Sequence, residues 1–205
     1  YGIVGEPTEM KMAVAEKGLM VLDCVAHGVS GHAARDVGDN SIYNALKDIE
    51  KLKRFQFEKT SNVLVPIKLS VTQIDAGYHH NIIPDQCKFV VDVRTTAAYS
   101  NEEVLSMISE KLEAHINARS TRLRPSQMPE DTPIRRAADQ LKIDTFGSAT
   151  MSDQALIPVP TIIMGPGKSE RSHTADEFIW LDEIKQGIDG YIRLIEQLKV
   201  EYEKL

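Results

Sequence analysis

The sequence predicts an α+β fold in which one compact domain is inserted into a second, incomplete α/β domain. Residues 17–125 read as strand, helix, strand, strand, helix, which is most of a split βαβ pattern. The flanking segments, 1–16 and 126–205, each carry a short apolar strand followed by a loop, and neither has enough elements to form a core. We therefore expect the two flanking strands to pair with each other in the second domain.

The elements of the inserted domain follow from residue periodicity. A strand at 19–27 precedes a helix that Asn40 caps, and the stretches VPIKLSVTQI and CKFVVDVRT alternate apolar with polar residues, as half-buried strands do. Ser100 and Glu103 form a capping box that opens a second helix, which we expect to continue as far as Ile116. An antiparallel sheet of this order with both helices on one face is ferredoxin-like.

The C-terminal flank contains a short helix, an apolar strand and a long final helix. Proline and polar residues in RPSQMPEDTP separate it from the inserted domain. A helix near 133–142 precedes the strand VPTIIM, and the final helix begins at about Leu181. Its apolar residues recur at helical spacing, so we expect one buried face, made of Ile184, Ile188, Ile192, Ile195 and Leu198.

Composition excludes several classes of protein. The 205 residues carry a net charge of -6 without a basic cluster, which argues against a nucleic-acid surface. No apolar run approaches the length of a bilayer span, and no secretory leader is visible, so we expect a cytoplasmic protein. Cys24 and Cys87 lie inside predicted strands and are expected to be buried free thiols, with a disulfide as the alternative.

Four short clusters contain side chains that could carry chemistry. Glu6 follows the first strand, where α/β sheets place their ligands, and His32 is presented by the glycine-rich GVSGH. Asn81 in HHNIIPD and Arg94 on the next strand could bind a carboxylate. His173 lies in GPGKSERSHTADEF, between a glycine-proline corner and the final helix. The alternative interpretation is that each of these side chains is an ordinary solvated surface or loop residue.

Taken in order, the motifs resemble those of one family. The chain contains VGEPT, then G-x-SGHAAR-x-x-G-x-N, then GYHHNIIPDQC with VDVR, then SDQ, then GPG-x(5)-H-x-x-DE. This series resembles the M20 family of metal-dependent amidohydrolases and peptidases, and within it most closely the acetylornithine deacetylase branch. The match extends over nearly the whole chain.

The resemblance implies metal and catalytic roles. Glu6 stands where the family has a carboxylate ligand of one of two divalent metal ions. His173 stands where the family has the last ligand of the other ion. Zinc is the first expectation for both ions, with cobalt as an alternative. Asp176 or Glu177 could orient His173. His32 lies in the inserted lid domain, and the resemblance implies that it reaches across a homodimer and helps hold the scissile carbonyl oxygen in the partner's site.

The resemblance also implies a substrate. Asn81 and Arg94 are similar to lid residues that contact it, the arginine pairing with its carboxylate, and the turn from Gly165 to Gly167 is similar to a loop that lines the substrate pocket. We therefore expect an N-acylated amino acid, with deacetylation of acetylornithine in arginine biosynthesis first. Desuccinylation of diaminopimelate, or another M20 peptidase activity, is the alternative.

The chain departs from the family pattern in two respects. Asp36 stands where many relatives have proline, a loop change from which we expect little consequence. Three motifs of the family should all precede Tyr1: an early histidine-x-aspartate segment, an aspartate that bridges the two metal ions, and a pair of glutamates. One glutamate of that pair is the general base. We therefore expect a C-terminal portion, inactive alone: a lid and dimerisation domain at 17–125 inserted between two segments, 1–16 and 126–205, of a zinc-peptidase-like catalytic domain. A non-catalytic dimerisation module is the alternative.

Overall fold

A computed structural model describes residues 1–35 and 37–204, so Asp36 lies outside the described residues. It confirms the α+β class. The strands are β1 (Gly2–Val4), β2 (Met12–Glu16), β3 (Gly18–His27), β4 (Gly31–His32), β5 (Lys68–Ala76), β6 (Ile82–Ile83), β7 (Gln86–Thr95), β8 (His115–Ala118), β9 (Ser126–Gln127), β10 (Thr145–Ser148) and β11 (Thr161–Ile163). The α-helices are α1 (Ser41–Arg54), α2 (Asn101–Ser109), α3 (Pro133–Gln140) and α4 (Leu181–Tyr202).

The chain forms two compact units. The inserted unit contains Gly18–Ser61 and Val65–Pro125, and the flanking unit contains Tyr1–Lys17, Asn62–Leu64 and Ser126–Leu205. The short segment 62–64 belongs to the flanking unit because it packs against β10. A Cβ atom on Gly147 of β10 would lie 2.5 Å from the carbonyl oxygen of Val63, so only glycine permits that approach.

The inserted unit is a complete ferredoxin-like βαββαβ arrangement. Its antiparallel sheet has the strand order β5-β7-β3-β8, and β3 pairs with β7 along its whole length. Alternate residues of β3 and β7 face one core with residues of α1 and α2. That core contains Met20, Leu22, Cys24, Ala26, Ala45, Leu52, Cys87, Phe89, Val91, Val93, Val104 and Ile108. Both cysteines are buried free thiols, as expected, and burial raises the pKa of Cys24 to about 12.

The second helix of this unit is shorter than predicted. It ends at Ser109, and Ile116 lies instead in β8, opposite Cys24. The buried carboxylate of Asp48 explains the change, because it accepts hydrogen bonds from the backbone N–H groups of Glu113 and Ala114. Those two amides are therefore unable to continue the helix, and the chain turns into the last strand of the sheet.

The flanking unit contains a mixed sheet in which the two flanks pair, as predicted. Its strand order is β1-β11-β2-β10, with β9 paired to β2. β1 and β11 are parallel, with Gly2 opposite Thr161 and Val4 opposite Ile163. A hydrophobic core lies between this sheet and the helices α3 and α4. The core consists of Met12, Val14, Met128, Ile134, Ala137, Ala138, Ile162, Met164 and Leu194.

The buried face of α4 differs from the prediction. Ile184, Ile188, Ile192 and Ile195 are 38%, 55%, 50% and 58% exposed, whereas Leu194 is fully buried and Leu198 packs against the core. Two glycines account for this rotation. Gly187 packs against Pro166, and Gly190 packs against Met10, so the glycine-containing stripe faces inward. No helix of the described residues, α4 included, is long and apolar enough to cross a membrane.

Candidate metal and substrate sites

Glu6 and His173 line the same cavity in the flanking unit. Glu6 follows β1, and the loop that carries His173 follows β11. Because β1 and β11 are parallel neighbours, their carboxyl ends lie at one edge of the sheet, where open α/β sheets bind ligands. The cavity between these loops has a volume of about 360 Å³ and is also lined by Glu16 and Ser152.

Backbone hydrogen bonds hold the loop of Glu6 against the loop after β11. The N–H of Thr8 donates to the carbonyl oxygen of Gly165 (3.1 Å), and the N–H of Gly165 donates to Oγ1 of Thr8 (3.1 Å). A Cβ atom on Gly165 would lie 2.5 Å from the carbonyl oxygen of Glu6. Glycine at 165 thus permits the close contact between these loops. Gly165 and Gly167 are not among the described residues that line the cavity with Glu6.

A second acidic side chain, Glu16, lines this cavity and was not predicted from the sequence. It ends the buried strand β2 and is 2% exposed. Its Oε2 accepts a hydrogen bond from Oγ of Ser152 (2.8 Å), while its buried Oε1 has no partner within the described part of the chain. Burial raises the pKa of Glu16 above its ordinary value, against the opposing effect of the Ser152 hydrogen bonds, and the charge of Glu6 raises it further. The sequence feature that could have identified Glu16 is a carboxylate at the end of the otherwise apolar stretch MAVAE.

His173 has an unusual backbone conformation, beside an ion pair of the same loop. Its φ is 61°, in the left-handed region that costs a non-glycine residue about 1–2 kcal/mol. Two residues earlier, Nη1 of Arg171 donates to Oε2 of Glu183 (2.6 Å) on α4. This hydrogen bond lowers the pKa of Glu183. Arg171 also lies 4.8 Å from the ring centroid of Phe178, an arrangement typical of a cation–π contact.

The partners that were expected to orient His173 do not contact it. Asp176 and Glu177 are both exposed, and no hydrogen bond between either carboxylate and the imidazole is found among the described residues. The ordered contacts of this loop are instead those of Arg171 and of Thr174, whose Oγ1 donates to the carbonyl oxygen of Arg171 (2.9 Å).

The donors of the cavity fit a divalent metal ion but do not complete a site. A carboxylate and an imidazole are donors that zinc accepts, and both line one small cavity. A catalytic zinc ion takes about three protein ligands and keeps an open position. Across residues 1–35 and 37–204, no group of three or more histidine, cysteine, aspartate or glutamate side chains is arranged to hold a metal ion.

In the inserted unit, His32 and Asn81 lie together on a two-stranded ribbon. β4 pairs with β6, with His32 opposite Ile82, and the N–H of Ala33 donates to the carbonyl oxygen of Asn81 (3.0 Å). The Nδ1 atom of His32 accepts a hydrogen bond from the N–H of Ala34 (3.1 Å). A neutral imidazole that accepts at Nδ1 carries its proton on Nε2. His32 therefore presents an exposed Nε2–H donor.

Arg94 lies far from that ribbon within the same unit. It stands near the end of β7, opposite Leu19 of β3, whereas the ribbon joins β7 at Gln86. At roughly 3.4 Å per residue in an antiparallel strand, the strand separates Gln86 from Arg94 by about 27 Å. The guanidinium is paired with Asp92, through Nε to Oδ1 (2.8 Å) and Nη2 to Oδ2 (3.1 Å). One copy of this unit therefore does not bring His32 and Arg94 to the same small substrate.

Comparisons with known proteins give one consistent result. The sequence profile of the M20 peptidase dimerisation domain matches residues 14–120. An acetylornithine deacetylase from Buchnera aphidicola is 27% identical over 203 residues, which cover 89% of this chain and 53% of that protein. The aminopeptidase PepT of Bacillus cereus has a TM-score of 0.78 at 18% identity, with 97% of this chain and 57% of that chain covered.

A second solved structure carries a similar fold. It is a dinuclear metal-binding peptidase of the M20 family from Bacillus subtilis, with a TM-score of 0.65 at 18% identity, and the match covers 98% of this chain and 56% of that chain. The present chain thus spans about half the length of the relatives that it matches.

Proposed function

The chain belongs to the M20 peptidase family, and from that premise we propose that it is part of a two-metal hydrolase that removes the N-acyl group of an acylated amino acid. One observation carries the proposal: Glu6 and His173, far apart in sequence, line one cavity at the carboxyl edge of the sheet. The substrate we propose first is acetylornithine, because the acetylornithine deacetylase of Buchnera aphidicola matches 89% of this chain.

Glu6 and His173 would each hold one of the two metal ions, zinc in the first instance. Bound there, the metals supply Lewis acidity toward the acyl carbonyl group and lower the pKa of a coordinated water molecule. The loops of Glu6 and of Gly165 are joined by hydrogen bonds, so the carboxylate is supported before any metal binds. The remaining ligands and the general base would come from polypeptide that this chain does not contain.

The inserted unit would supply the substrate contacts. The Nε2–H group of His32 is a donor of the kind that stabilises a developing oxyanion, and Asn81 lies beside it. Arg94 would bind the substrate's α-carboxylate by exchanging its pairing with Asp92. Gly165 and Gly167 would support the pocket through the backbone.

The separation of His32 from Arg94 supports a homodimer. If both residues contact one substrate, about 27 Å of β7 between them requires that they come from different copies of the chain. In this proposal each active site takes Arg94 from its own protomer and His32 from the partner. The same arrangement makes a dimer necessary for activity.

The test uses the native protein that contains this sequence. It would be captured through an antibody to a peptide of the chain, and its intact mass, metal content and hydrolysis of acetylornithine and succinyl-diaminopimelate would be measured. We expect a mass well above 22.9 kDa, about two metal ions per subunit and faster hydrolysis of acetylornithine. A metal-free dimer whose subunits each have a mass of about 22.9 kDa, without amidase activity, would instead support a non-catalytic dimerisation module.

A further inference from the structure

The loop that carries His173 is anchored on both sides of the histidine. Before it, Arg171 has a side chain that is only 18% exposed and pairs with Glu183 of α4. After it, Phe178 lies against the Arg171 guanidinium, and the N–H of Trp180 donates to the same Oε2 of Glu183 (2.9 Å). We call Arg171, Phe178 and Glu183 the Arg171 clamp.

The clamp lies outside the cavity that His173 lines. His173 lines the cavity that contains Glu6, whereas Arg171 and Phe178 line a separate surface pocket beside Pro166. The left-handed backbone at His173 is a conformation that persists only where the surrounding structure holds it. Neither Asp176 nor Glu177 makes a hydrogen bond to the imidazole among the described residues. The clamp provides side-chain contacts on both sides of His173, in addition to the hydrogen bond from Oγ1 of Thr174 to the carbonyl oxygen of Arg171.

We propose that the Arg171 clamp is a positioning device that holds His173 in its left-handed conformation and so directs the imidazole into the cavity of Glu6. The inference rests on the proposed role of His173 as a metal ligand. Its physical basis is preorganisation: a ligand that is ordered before the metal arrives loses less conformational entropy on binding. Arg171 is thus a positioning residue and not a metal ligand.

The first test measures order in the chain itself, without metal. Backbone ¹⁵N relaxation would be recorded for residues 169–180 in the wild type, in Arg171→Ala and in Glu183→Gln, which retains an oxygen acceptor for the Trp180 N–H. We expect the order parameter at His173 to fall from about 0.85 to below about 0.6 in both variants. Arg171→Lys, which keeps the charge opposite Glu183, should recover part of the loss.

A matched control comes from the same turn of α4. Lys185→Ala removes the exposed ion pair between Lys185 and Asp182 but leaves the loop contacts intact, and His173 should keep its wild-type order parameter. An unchanged order parameter at His173 in Arg171→Ala and Glu183→Gln would overturn the proposal. If Arg171→Ala fails to fold, Glu183→Gln decides the question.

The second test separates the clamp from the proposed function. Cobalt(II) would be titrated into the complete protein that contains this sequence, in the wild type and in each variant, while the His173 imidazole and Glu6 resonances are followed for paramagnetic broadening. We expect broadening of both in the wild type and about tenfold weaker binding at His173 in Arg171→Ala. No broadening in the wild type would contradict the metal role, and the relaxation data would still decide the clamp. A disordered loop with unchanged cobalt affinity would overturn the positioning role.

Discussion

The guanidinium of Arg94 and the carboxylate of Asp92 form two parallel hydrogen bonds on one face of β7, through Nε to Oδ1 (2.8 Å) and Nη2 to Oδ2 (3.1 Å). Both side chains are about one-third exposed, so the pair is open to exchange. Asp92 therefore occupies the fork that the carboxylate of the proposed substrate would use, and it holds the guanidinium in a single orientation.

Replacing Arg94 should weaken substrate binding without loss of metal. In the complete enzyme we expect Arg94→Ala to raise KM by about 10- to 100-fold, because a charge-assisted bidentate contact contributes about 1.5–3 kcal/mol. Steady-state kinetics with acetylornithine and metal analysis of the same samples would check this.

A matched control for Arg94 lies on the same sheet. Arg119 forms an equivalent bidentate pair with Asp23, at 2.9 and 2.8 Å, but it is not among the predicted substrate contacts. Arg119→Ala should leave KM within about twofold of the wild type, because it removes only an exposed ion pair. Equal kinetics for the two variants would remove Arg94 from the substrate site.

The dimer model predicts complementation between two variants that are each impaired when the substrate concentration is well below the wild-type KM. If each site takes Arg94 from one protomer and His32 from the other, a heterodimer of Arg94→Ala and His32→Ala protomers has one doubly damaged site and one intact site. Random reassociation of equal amounts should restore about one quarter of wild-type activity, since half of the dimers are mixed. His27→Ala, an exposed histidine at the end of β3, should be active alone. Failure to complement would indicate that His32 and Arg94 serve the same protomer.

Much of the fold could be predicted because the alternation of β3 and β7 is strong and local. The predictions were wrong where contacts with residues distant in the sequence determine the local structure. Ile116 continues a helical apolar pattern, but Asp48 captures the backbone before it. On α4 the predicted isoleucine face and the observed inward face are both apolar. Two glycines determine which face is buried, but their effect depends on packing against Pro166 and Met10, which the sequence does not show.

The candidate site was predictable only in part. Resemblance selected Glu6 and His173, but their shared cavity depends on the parallel pairing of β1 with β11. Glu16 was missed because its burial depends on packing in the flanking unit. The ion pair of Arg171 was also not predicted, since an arginine in a polar loop is expected to be solvated until its partner on α4 is known.

The buried Asp48 should be a large contributor to the stability of the inserted unit. Its side chain is 2% exposed and accepts hydrogen bonds from the Glu113 and Ala114 amides and from Lys51. Asp48→Ala removes the acceptor of the two buried amides, whereas Lys51 keeps its pairing with Glu113, and we expect the substitution to lower the free energy of unfolding by about 3 kcal/mol. Urea titrations followed by amide resonances of β3 and β7 would measure the loss.

The control for Asp48 is an exposed acidic residue on the same helix. Glu50 pairs with Arg54 at 2.7 Å, but both side chains are largely in solvent. Glu50→Ala should change the free energy of unfolding by less than about 0.5 kcal/mol. A loss in Asp48→Ala no larger than this would show that the Asp48 contacts do not stabilise the unit.

Glu16 should make the stability of the flanking unit depend on pH. Because burial raises its folded-state pKa above the ordinary value of 4.5, the folded state binds its proton more readily than the unfolded state. Its favourable contribution is therefore complete below the unfolded pKa and is lost as the pH rises through the raised folded pKa.

Glu16→Gln cannot titrate, so its stability relative to the wild type should increase with pH across that window. Urea unfolding of both proteins from about pH 4.5 to about pH 8, followed by the fluorescence of Trp180, would measure the difference. A difference for Glu16→Gln that stays constant or falls with pH would contradict the raised pKa.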